Sequence, residues 1–178
     1  MRKLLYTVML LGLVACGESK TEIPANMLVH NDYESVDGWL LDAGKPIPSL
    51  TKDRAHSGRF SIRVDQANEY SLGYTNQLGR ISTSKLKKIK VHAWINVPNN
   101  RAGAALVVQV EGDGGKSLFW EGISLTDATK DYNKWTEMTK VLTLPDNLAY
   151  NNLLKVYLWR SGSNQPVYLD DLEITSVD

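Results

Sequence analysis

One cysteine, Cys16, stands in the 178 residues, so no disulfide within the chain can staple it. The three histidines, His30, His56 and His92, are scattered. No nucleophile elbow, metal-ligand histidine pair or phosphate-cradling glycine loop ahead of a helix is present, so nothing marks a catalytic centre of those kinds. The Gly112–Gly115 run lies between two strand-like segments and reads as a hairpin loop. Basic and acidic residues balance at 20 each. The one cationic run, Lys85, Lys87, Lys88 and Lys90, reads as the solvated face of a strand and not as a nucleic-acid stripe. No fixed-period repeat occurs, and no apolar run is long enough to span a bilayer as a stable anchor.

The longest apolar run does have a meaning. Met1, Arg2 and Lys3 make a positive start, Leu4 to Val14 is apolar, and Leu13-Val14-Ala15-Cys16 follows. This resembles the bacterial lipoprotein signal, in which a diacylglyceryl group is added to the cysteine and the preceding segment is removed. The resemblance implies a signal peptide over 1–15, lipidation of Cys16, and a lipid-anchored protein of the bacterial cell envelope, facing either the periplasm or the surface. Two acyl chains and a third on the amine give near-permanent attachment. Residues 16–25 are polar with one proline and read as a flexible tether. Loss of Arg2 and Lys3 leaves the remainder slightly acidic.

From residue 26 to 178 the pattern has period two, as expected for one all-β domain. Ile89, Val91, Ala93, Ile95 and Val97 alternate with Lys88, Lys90, His92, Trp94 and Asn96. Leu106, Val108 and Val110 do the same, and so do Leu154, Val156 and Leu158. Further strands are expected near 28–33, 60–66, 74–82, 117–124, 135–144 and 166–175, with one helical turn over 147–152. Turn residues separate them, among them Ser57-Gly58, Pro98-Asn99-Asn100 and Pro145-Asp146-Asn147. About nine short strands spaced this way indicate a sandwich or barrel.

Five stretches in order resemble the jelly-roll carbohydrate-binding modules that accompany cellulases and xylanases, within the galactose-binding-like fold. They are Asn31-Asp32-Tyr33-Glu34 with Gly38-Trp39; Ala55 to Val64; Val91 to Ile95; Lys134-Trp135-Thr136 through Leu144-Pro145; and Val167 to Ile174. The resemblance implies a jelly-roll β-sandwich of two antiparallel sheets. It also implies a structural calcium ion held by Glu34, carbonyls of the Ser57–Arg59 turn and Asp170, with Asp32 and Asp171 nearby; such oxygen donors suit calcium.

Glycan binding needs exposed aromatic rings interleaved with amide and carboxylate groups. If jelly-roll order holds, the strands at 74–82, 153–160, 103–111 and 117–124 are neighbours. Their outward residues are then Gln109, Glu111, Tyr157 and Trp159, with Tyr74 or Thr75, Asn76 or Gln77, and Phe119 or Trp120. The set carried forward is Tyr74, Asn76, Gln109, Glu111, Trp120, Tyr157 and Trp159. Trp94 is expected to point outward on the other sheet, and Trp39 and Trp135 to lie in the core or at its rim. Glu111, Glu121 and Glu137 are the carboxylates a glycosidase would nominate, without a cleft to join them. The functional expectation is a non-catalytic carbohydrate-binding lipoprotein, with polysaccharide or glycan as partner; the alternative is an envelope lipoprotein that engages a protein partner.

Overall fold

A computed structural model of the chain describes residues 24–39 and 46–177. The expected signal segment, Cys16 and most of the expected tether lie outside these residues, as do residues 40–45. Ten strands and two one-turn helices follow in chain order: β1 (Met27–Asn31), β2 (Leu50–Thr51), β3 (Ser61–Val64), β4 (Tyr74–Gln77), α1 (Leu78–Ile81), β5 (Lys88–Asn96), β6 (Ala105–Glu111), β7 (Ser117–Ser124), α2 (Leu125–Ala128), β8 (Trp135–Thr143), β9 (Leu153–Trp159) and β10 (Val167–Val177). They form two antiparallel sheets, a jelly-roll sandwich. One sheet runs β2-β3-β10-β5-β8 with β1 also on β10, and the other runs β4-β9-β6-β7.

Alternation explains the layers. In β5 the odd-numbered residues Ile89, Val91, Ala93 and Ile95 are fully buried, while Lys88, Lys90, His92 and Trp94 face outward. Val108, Val110, Leu154, Val156 and Leu158 supply the facing layer. Each such aliphatic side chain contributes roughly 1.5–3 kcal/mol on burial. Trp39 closes one flank of this core with its ring 5.8 Å from that of Tyr33 and 5.2 Å from that of Tyr74. The helices plug the ends: Leu78 of α1 and Leu125 of α2 are both buried.

Four local features differ from the sequence reading. The strand expected over 74–82 stops at Gln77 and turns into α1, where Leu78 and Gly79 donate backbone hydrogen bonds to Asn152 and Tyr150. The turn expected to be helical over 147–152 is irregular instead. There the Asn152 side chain accepts the Ala149 N–H at 2.7 Å and replaces a helical partner. A further short strand, β2, pairs with β3. Finally, β10 carries a bulge between Asp170 and Glu173, with two residues opposite the single Ala93 of β5 and Asp171 at φ 48°. The bulge resets parity, so that Leu169 and then Leu172 and Ile174 all reach the core.

Candidate functional site

The outer face of the four-stranded sheet is read off its registers. One row across it is Thr75, Lys155, Gln109 and Trp120; the next holds Tyr157, Val107 and Gly122; a third holds Trp159, Ala105 and Ser124. Tyr70 extends the third row by bridging to Trp159. Val107 is 1% exposed and lies outside the core cluster, so what covers it is the layer of side chains on this face.

Trp120 builds much of that layer. Its ring is 51% exposed and lies across Gly122, where a Cβ would come 2.6 Å from the ring edge. Only glycine leaves the indole room to lie down on the sheet. Tyr157 stands in the adjoining row, with Tyr70 edge-on to it at 5.9 Å. A polar string borders these rings: the Tyr157 hydroxyl donates to Gln109 Oε1 at 3.3 Å, and Gln109 Nε2 donates to Glu111 Oε1 at 3.0 Å. Lys155 Nζ lies 2.5 Å from Glu111 Oε2. Opposite charges thus neutralise each other within the face, leaving amide and hydroxyl groups beside flat apolar rings.

Gln109, Glu111, Trp120, Tyr157 and Trp159 therefore share one face. Two expected members do not. Tyr74 is aligned with Val156 and Val108, points inward and is 8% exposed against Trp39. Asn76 is aligned with Leu154 and Val110 and donates to the Tyr74 hydroxyl at 3.2 Å. A shift of one residue explains both, because Thr75 and Gln77 take the outward positions. Trp159 is half-buried, and its indole nitrogen is closed off without an acceptor among the described residues. Tyr70, Val107 and Gly122 were missed, since a loop tyrosine, an outward valine and a strand glycine carry no period-two signal of a ring platform.

The three nominated carboxylates do not all meet in one place, although two of them share a cleft. Glu111 is on the outer face, whereas Glu121 and Glu137 line a cleft of about 370 Å³ between the β7 and β8 edges.

On the other sheet the Ser57-Gly58 turn is clamped from two sides. Glu34 Oε1 accepts the N–H groups of Arg59 and Phe60 at 2.5 and 2.7 Å, and the turn is so close that a Cβ on Gly58, at φ +55°, would overlap the carboxyl group. Asp170 Oδ2 accepts those of His56 and Ser57 at 2.7 and 3.3 Å, while its Oδ1 accepts the N–H of Asp171 at 2.8 Å. The Arg59 N–H, ahead of that of Phe60, holds the Glu34 carboxyl below its ordinary range. Burial pushes Asp170 up to about 6 against these N–H bonds, with the Asp171 charge adding to the rise.

His56 covers Asp170 by stacking on Trp94 with centroids 3.7 Å apart, and its Nδ1 lies 2.6 Å from Asp171 Oδ2. Trp94 thus faces outward, as expected, under a histidine lid. Trp135 stands half-buried at the rim, 5.9 Å from His56. This arrangement does not fit calcium. Glu34 Oε1 and both Asp170 oxygens, among those that would hold it, are turned to N–H donors, whose positive ends repel a cation, and no three acidic or histidine side chains converge among the described residues. The tie assigned to an ion is made by hydrogen bonds.

No family model matches the chain, and no curated protein matches it. Solved structures do. The CBM22-1 xylan-binding domain from Paenibacillus barcinonensis is 19% identical with a TM-score of 0.54, over 85% of this chain and 95% of that one. The C-terminal family 22 carbohydrate-binding module from Clostridium thermocellum, whose cleft is described as acting in ligand binding, is 14% identical with a TM-score of 0.58, over 87% and 96%. A family 16 carbohydrate-binding module is 19% identical with a TM-score of 0.57, over 85% and 100%. The chain therefore has the jelly-roll fold of these modules across nearly their whole length.

Proposed function

We propose that the chain is a non-catalytic glycan-binding module, held by a lipid on Cys16 at a bacterial cell envelope, with residues 1–15 as the signal and 16–25 as the tether. The observation that carries the binding part is the Trp120 ring lying flat over Gly122 and half open to solvent, beside Tyr157 and the Gln109–Glu111 string. A pyranose ring has an apolar face that stacks on an indole, and hydroxyls at its edge that exchange hydrogen bonds with amides and carboxylates. Those two kinds of group stand side by side on the one face. The lipid part rests on the sequence at Leu13 to Cys16.

Xylan is the first ligand to try, because three modules of this fold are described as xylan-binding. Affinity electrophoresis through gels containing xylan or other neutral polysaccharides tests the reading. The native chain is retarded by at least one of them. Trp120→Ala reduces that retardation at least about tenfold in affinity, with only a modest fall in melting temperature, because half of the residue is open to solvent and the rest helps to cover Val107. Undiminished retention in the variant moves the site off this face, and no retention on any polysaccharide removes the reading.

A further inference from the structure

The tether leaves the sandwich at a defined end. Asn26 Nδ2 donates to Ser176 O at 3.0 Å, and the Ser176 N–H donates back to Asn26 O at 2.9 Å. In the same sheet Met27 pairs with Thr175, Val177 with Lys88, and Lys88 with Thr143. This end therefore gathers the tether exit, the start of β5, the segment leading into it and the end of β10. On the opposite sheet α1 and the β6–β7 loop reach the same end, because Leu78 bonds to Asn152 and Glu111 pairs with Leu153.

The end is cationic. Arg80, Lys85, Lys87, Lys88, Lys90 and Lys116 are all exposed there, and among the described residues none has a carboxylate partner. Among the described residues the facing acidic ones are Asp113 and Asp146, and Asp146 accepts from Lys85 only through its backbone oxygen. Lys85, Lys87 and Lys88 border a cleft of about 350 Å³ together with Ser176 and Val177. Beside it is an apolar hollow of about 270 Å³ lined by Leu78, Leu86, Leu148 and Tyr150, and Tyr150 is 56% exposed at its rim. The domain as a whole carries no such excess, so the charge is concentrated at one pole.

Tether length decides what meets that pole. Eight residues, 16–23, separate the lipid from the described chain. Fully extended they reach at most about 30 Å, and as a flexible polar coil they average about 15 Å. A nine-residue strand such as β5 is itself about 30 Å long, so the cationic pole stays near the bilayer while the far pole is held away from it.

We propose that this pole is a docking face for an anionic bilayer surface, with Lys85, Lys87 and Lys88 against phospholipid headgroups and Tyr150 seated at the interface. The inference rests on the lipid anchor of the reading above. Docking in this way sets the strands upright on the membrane and leaves the Trp120 face open at the side.

The test uses the chain from Gly17 onward without lipid. It retains every described strand and the whole described core. Sedimentation with vesicles of phosphatidylcholine alone and with added phosphatidylglycerol, in low and high salt, reads the docking. The chain sediments with the anionic vesicles only, and high salt releases it. The triple variant Lys85→Gln, Lys87→Gln, Lys88→Gln binds them on the order of a hundredfold more weakly, with unchanged melting temperature and unchanged retention on polysaccharide. Equal binding to neutral vesicles, or a triple variant that binds as the native chain does, overturns the docking face. A separate arm reads the anchor. In cells Cys16→Ser releases the chain from salt-washed membranes; a Cys16→Ser chain that stays there refutes the lipid anchor, whatever the vesicles show.

Discussion

The binding face turns on Gly122. A strand interior is an unfavourable place for glycine, which loses more conformational freedom on folding than any other residue and offers nothing to pack. Here the missing side chain is what allows Trp120 to lie on the sheet. In Gly122→Val the new methyl groups occupy the space of the indole edge and push it upright. Affinity for the retained polysaccharide falls at least about tenfold, as in Trp120→Ala, while stability stays within about 1 kcal/mol because valine suits a strand. Isothermal titration with thermal melts separates the two effects, and a Gly122→Val chain that binds as before contradicts the flat-ring platform.

A second residue-scale consequence concerns Asp170, whose carboxyl is pushed up to about 6 chiefly by burial. The folded chain holds this proton more tightly than the unfolded chain, so the group stabilises the fold most at low pH. That contribution declines as pH rises from the unfolded value toward about 6 and is constant above. Asp170→Asn cannot ionise. The difference in melting temperature between the two proteins therefore shifts in the variant's favour between about pH 4 and about pH 7, by the equivalent of at most about 3 kcal/mol. A difference that does not change with pH shows that Asp170 titrates normally.

At the scale of elements, strands whose alternation is strong were legible from the residues: β5 and β9 each bury one parity of aliphatic side chains, and β6 sends Leu106, Val108 and Val110 into the core while Val107 is covered on the outer face. The neighbour order of β4, β9, β6 and β7 came from the jelly-roll resemblance, and the observed sheet has it. The register of β4 was not legible. Tyr74-Thr75-Asn76-Gln77 has no apolar alternation, and the tyrosine turns inward because Trp39, distant in sequence, offers it a ring to pack on. The bulge in β10 was equally hidden, since two consecutive aspartates do not announce that one of them takes a left-handed backbone. Trp120 could be weighed only as an alternative to Phe119; the pairing of Gln109 with Trp120 and of Val110 with Phe119 decides between them.

The clamp around the Ser57-Gly58 turn is an element-scale device with its own prediction. Five backbone N–H groups converge on Glu34 and Asp170, tying the segment after β1 and strand β10 to a turn that precedes β3. Because the carboxylates are spent on these donors, the melting temperature is the same in excess chelator and in millimolar calcium. A rise with calcium would show that the turn re-forms around an ion, since a ligand that binds only the folded chain stabilises it by mass action.

Taken as a whole, the molecule separates its two proposed contacts in space. The cationic pole with the tether faces along the strands, and the ring platform lies on a sheet face at right angles to it, so a glycan chain and a bilayer need not compete for the same surface. The apolar core is continuous between the sheets, which makes the domain a rigid mount for both.

The five tryptophans offer the most direct test of where ligand sits, since each indole N–H gives its own nuclear magnetic resonance signal and the rings are spread over the molecule. Titration with an oligosaccharide of whichever polysaccharide retains the chain moves the Trp120 signal most and that of Trp159 next. The signals of Trp39, in the core, and of Trp94 and Trp135, on the other sheet, stay in place. Movement of Trp94 and Trp135 with Trp120 unmoved would place the ligand on the opposite face and contradict the account.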